Sequence, residues 1–112
     1  MAKLAYEMHE LEYGIKHAEM ILQNINADRV SRNGDCVNKV WKISYVEMDG
    51  TTIKQFSDWD QRRLGLMTGG EYLIVVDITD TEKPHILYAI NVSGDSVLEC
   101  MHQLFDLLSA KF

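Results

Sequence analysis

Proline and cysteine are almost missing from this chain, and clustered positive charge is missing altogether. Pro84 is the only proline, so nothing resembles a Pro-rich linker or a polyproline segment. Cys36 and Cys100 are the two cysteines. They stand 100 − 36 = 64 positions apart, outside any C-x-x-C pair, which excludes a short-spaced structural zinc site and predicts two free thiols. Long apolar runs are also absent. Tyr72 to Val76 is the longest candidate, far short of the ~20 residues a membrane span needs. Glu7, His9, Glu10 and Glu12 follow the first residues at once and leave no apolar stretch for an export signal. The cytoplasm is the expected location.

Basic residues are outnumbered. Eleven Lys+Arg against 17 Asp+Glu give a net charge of −6, and the only adjacent basic pair, Arg62-Arg63, follows Asp58 and Asp60. A nucleic-acid groove needs clustered cations that displace counterions, so that function is not expected. What is present is an ordinary globular balance over 112 residues, 46 % apolar and 25 % charged, enough for one domain, 1–112.

Periodicity assigns the elements. From Lys3 to Ala27, Leu4, Met8, Leu11, Ile15, Ala18, Leu22 and Ile25 recur at threes and fours and predict one helical stripe. The polar stretch Asn26 to Asp35, with Asn33-Gly34, predicts a loop. Cys36 to Met48 alternates as a strand, Asp49-Gly50 has the chemistry of a hairpin turn, and Thr51 to Phe56 is the expected return strand. Ser57 predicts an N-cap, with a short helical turn that ends at Gly65 or at Gly69-Gly70. Glu71 to Thr79 is apolar on both faces, as a central, covered strand would be. His85 to Val92 is its partner, with Ile86, Tyr88, Ile90 and Val92 expected on one face. Ser96 caps a last helix to Lys111, with a stripe of Val97, Leu98, Met101, Leu104, Phe105 and Leu108. The sum is an α+β fold: a four-stranded antiparallel sheet of two hairpins (α-β-β-short α-β-β-α), with the N- and C-terminal helices packed on it. If both helices share one face, the other face asks for a partner, so a homodimer is expected.

No catalytic constellation emerges. His9-Glu10 starts no H-E-x-x-H, because Tyr13 occupies the second histidine position. Cys100 and His102 point about 160° apart on a helix and cannot pair. Asp77 and His85 share a face near one turn, which makes a weak enzyme alternative, but no nucleophile lies near them in sequence. Neither a metal nor a cofactor is expected. Binding signals are clearer. Tyr6, Tyr13 and Met20 repeat at sevens opposite the core stripe, where large side chains would meet only water unless something docks there. Trp59, Arg62 and Arg63 combine hot-spot residue types on a short connection. These six residues are the expected contact set for a protein partner or a second copy. The alternative is a small-molecule module, with Trp41, Tyr45, Tyr72 and Tyr88 lining an apolar pocket between sheet and helix.

Overall fold

The computed structural model describes residues 3–32, 39–66 and 68–112. Its order is α1 (Ala5–Arg32), β1 (Trp41–Met48), α2 (Gly50–Lys54), α3 (Asp58–Leu64), β2 (Gly70–Asp77), β3 (His85–Asn91) and α4 (Val97–Lys111). The fold is α+β, but among the described residues the antiparallel sheet has three strands, in the order β1-β2-β3, and not the four expected.

The lost strand is Thr51 to Phe56. Asp49 does not turn a hairpin there. Its carboxylate accepts from the Thr52 N–H at 2.8 Å and caps α2, and Gly50 is not among the glycines with positive φ. The apolar spacing explains the outcome. Ile53 and Phe56 are three apart, which places both on one face of a helical turn but on opposite faces of a strand. Both pack into the same core beneath β2.

α1 runs five residues beyond its expected end at Ala27. The polar Asn26 is not a loop residue but a buried one, and its amide donates to the Lys39 carbonyl at 3.0 Å where the chain enters β1. The Asn33-Gly34 turn and the first residues of the expected strand, Cys36 to Asn38, lie outside the described residues.

Helices cover the sheet on both sides. α1 and α4 share one face, where Leu11, Ile15, Ala18 and Leu22 meet Cys100, Leu104 and Leu108 over Ile43, Leu73 and Val75. The opposite face holds a smaller core of Met48, Ile53, Leu64, Leu66, Tyr72 and Ile74, closed by α2 and α3. Two helices on one face therefore leave no bare sheet for a second copy to cover, and that argument for a dimer falls away. β2 is central and buried on both faces, as its composition requires.

Local chemistry closes the remaining joints. Ser57 caps α3, which ends at Gly65 in the left-handed region with φ of 69°. Ser96 caps α4. Gly14 faces Met101; a Cβ there would overlap the thioether, so this glycine lets α4 approach α1. Leu4 (63 % exposed) and Leu98 (77 %) leave the expected core stripes. Leu4 precedes α1, and the buried line of α4 centres on Cys100, Leu104 and Leu108, away from Leu98.

β3 carries the second correction to strand alternation. Val75 pairs with Tyr88 and Val76 with Ile86, so Leu87 is an extra residue in a bulge. Beyond it the faces exchange. Ile86 packs with Ala89 on the smaller core, while Leu87 joins Tyr88 and Ile90 on the larger one. No described helix is long and apolar enough to cross a membrane.

Candidate functional site

Seven helical residues fall about 20° short of two full turns and advance about 10 Å. Tyr6, Tyr13 and Met20 therefore form a nearly straight line along α1. The core of α1 faces the sheet, so this line faces outward, and the three residues are 64, 75 and 59 % exposed. Glu10 and His17 flank the line on one side, His9 and Lys16 on the other, and all four are exposed. The His9 Nδ1 lies 3.9 Å from the Glu12 carboxylate, and the His17 ring packs on Phe105 of α4 at 6.1 Å. A large, flat, amphipathic strip bounded by mixed charge is the chemistry of a contact surface.

α3 presents a second exposed group. Trp59 is 73 % exposed, and Arg62 is exposed one turn further on. Arg63 is occupied differently. Its guanidinium pairs with Asp60 at 3.1 Å and donates to the carbonyls of Ile86 at 2.9 Å and Leu87 at 3.3 Å. It fastens α3 to the β3 bulge.

The four aromatic residues of the expected pocket do not meet. Trp41, Tyr45 and Tyr88 lie on the α1–α4 face, but Tyr72 is on the other face of the sheet, as strict alternation along β2 demands. The space expected beneath the helices is filled by Phe112, edge-on to Trp41 at 5.1 Å and to Tyr88 at 5.5 Å.

Asp77 and His85 are register partners across β2 and β3. The Asp77 carboxylate serves a turn. It accepts from the Thr79 N–H at 2.9 Å and from the Thr79 hydroxyl at 2.5 Å, with Lys39 at 3.9 Å. Partial burial pushes its pKa up, but the Thr79 bonds, with Lys39 and His85 nearby, outweigh that and hold it below the ordinary value. Cys100 is buried, and burial pushes its thiol pKa up, away from the thiolate a nucleophile needs. Cys36 lies outside the described residues. Among the described residues, no three His, Cys, Asp or Glu side chains converge as a metal site requires.

Sequence reasoning missed two clefts. One, of about 740 Å³, is bordered by Glu47, Asp49, Glu71 and Ser93 where β1, β2 and α2 meet. The other, of about 450 Å³, lies at the ends of three helices. Its only sequence signal was a cation in the last turn of each helix, which reads as ordinary helix-end chemistry. No family model, no curated protein and no solved structure matches the chain.

Proposed function

We propose that this is a non-catalytic interaction module of the cytoplasm. It works through protein–protein contacts on the outer face of α1, and its first partner there is a second copy of the chain. The observation that carries the reading is the exposed line of Tyr6, Tyr13 and Met20.

The face is self-complementary when two copies of α1 run antiparallel about a two-fold axis beside Tyr13. Position 6 then opposes position 20, so Tyr6 meets Met20 of the other copy, a favourable sulfur–aromatic pairing, and Tyr13 meets its equivalent. In an antiparallel pair, residues on the same side of the seam become neighbours. Glu10 then approaches His17 of the other copy on one flank, a carboxylate against an imidazole, while Lys16 lies beside His9 of the other copy on the other. Trp59 and Arg62 stay outside this seam and form the patch for a foreign protein.

Size-exclusion chromatography with light scattering tests the reading. The expected result is a concentration-dependent dimer. Tyr13→Glu places two carboxylates at the axis and raises the dimer dissociation constant at least about tenfold. A monomer at every concentration overturns self-association. A dimer that Tyr13→Glu leaves intact overturns the use of this face.

A further inference from the structure

The last turns of α1, α3 and α4 meet at one end of the sheet, and each brings a cation: Arg29, Arg63 and Lys111. They border a cleft of about 450 Å³ whose other lining residues are Leu87, Tyr88 and Phe112. That size falls in the range of small-molecule sites, roughly 300–1,000 Å³. No carboxylate side chain lines it among the described residues, although the chain as a whole carries a charge of −6.

The walls are set by packing. The Phe112 ring stands edge-on to Tyr88 and to Trp41. Trp41 in turn lies under the Arg29 guanidinium, 5.7 Å from its ring centre, a cation–π placement that steadies a long side chain. The Trp41 indole N–H is buried and has no acceptor among the described residues. Arg63 is fixed by Asp60 and by two bulge carbonyls, so it forms a wall of the cleft and is not free to reach out. Arg29 and Lys111 are the two cations able to close on a ligand. Asp60 already meets the charge of Arg63, so the surplus rests on Arg29 and Lys111, two positive charges against about one negative charge from the ends of α1 and α4.

Flat apolar walls beside surplus positive charge select an anion that carries a ring. We propose that this cleft binds a small aryl anion, a carboxylate or phosphate on an aromatic ring. The ring lies against Tyr88 and Phe112, and the anionic group sits between Arg29 and Lys111. This site is separate from the outer face of α1, and its occupancy does not depend on the dimer.

Phenyl phosphate and benzoate are the probes, with phenol and inorganic phosphate as the two halves of the ligand. Binding is followed by calorimetry and by the indole N–H signals of Trp41 and Trp59 in the NMR spectrum. The expected result is saturable binding of at least one aryl anion, with the Trp41 signal moving and the Trp59 signal still. Phenol and inorganic phosphate each bind at least about tenfold more weakly, and Arg29→Gln with Lys111→Gln weakens the aryl anion by at least about tenfold. Lys111→Glu alone, on the exposed last turn of α4, supplies the same comparison should the double variant fail to fold. The tighter of the two probes identifies the preferred anion. Three results overturn the proposal. Phenol could bind as tightly as the aryl anions, or the charge variants could bind like the wild type. Neither aryl anion could saturate, in which case the cations serve only the helix ends.

Discussion

Thr79 is an exposed residue, yet its hydroxyl joins two elements. It donates to Asp77 and accepts from the Val40 N–H at 2.9 Å, so it ties the approach to β1 to the end of β2. Thr79→Val keeps the shape and removes both bonds, for an expected loss of about 1–2 kcal/mol at neutral pH. The pH dependence has a definite sign. A carboxylate held below its ordinary pKa when folded contributes stability above its unfolded value, about 3.9, and loses it as pH falls through the folded value. Urea unfolding at a series of pH values should therefore show the wild type and Thr79→Val converging from about pH 5 toward pH 2. A gap of constant size would mean that Asp77 plays no part. Asp49-Gly50 makes a second test at this scale, and it also shows why residue-level reading misled. Aspartate followed by glycine is good chemistry both for a tight turn and for a helix start. What decided between them was Ile53 and Phe56, which only a helical turn sends to one core. Gly50 has open space where a Cβ would go and no positive φ. Gly50→Ala should leave the melting temperature unchanged or raise it slightly, by up to about 1 kcal/mol of stability. A loss of that size would restore the hairpin.

Helices were legible where one strong period coincides with a cap. α4 between Ser96 and Lys111 and α3 between Ser57 and Gly65 are of this kind, while β2 was legible from a short run apolar on both faces. The outer line of α1 was legible too, because seven is nearly two helical turns. The failures are places where a tertiary partner overrides the local pattern. Asn26 is helical because Lys39 comes back to meet it. Ile86 changes face because Leu87 is one residue too many for the β2–β3 register. The clefts were invisible for a related reason, since each is made by segments distant in sequence. Arg63 gives the element-scale prediction. Arg63→Met keeps much of the aliphatic stem but removes the bonds to Ile86 and Leu87, and should cost about 1–3 kcal/mol in chemical denaturation. Hydrogen exchange should speed first in α3 and at the start of β3. Uniform loosening across the sheet would show that the guanidinium is not a local fastener.

At the scale of the molecule, a sheet of three strands serves two cores, the larger under α1 and α4 and the smaller under α2 and α3. That division frees the outer face of α1 for contact, since neither core needs it. It also leaves β1 and β3 each with one side unpaired by another strand. Glu19 of α1 reaches down and accepts from the Ile43 N–H at 2.8 Å, on the side of β1 away from β2. Arg63 occupies the corresponding carbonyls of β3. These side chains act as stoppers against runaway polymerisation. An open strand edge is a template on which any extended chain can grow, and a charged plug from a neighbouring helix denies it the first hydrogen bond. Glu19→Ala removes one stopper while leaving the core intact. Its expected phenotype is therefore not mainly a lower melting point but a shorter lag before thioflavin-positive fibres form in agitated solution. Equal lag times for variant and wild type would show that β1 is guarded by something other than Glu19. A shortened lag would mean that the carboxylate holding a helix to a strand also decides whether this chain stays in solution as it ages.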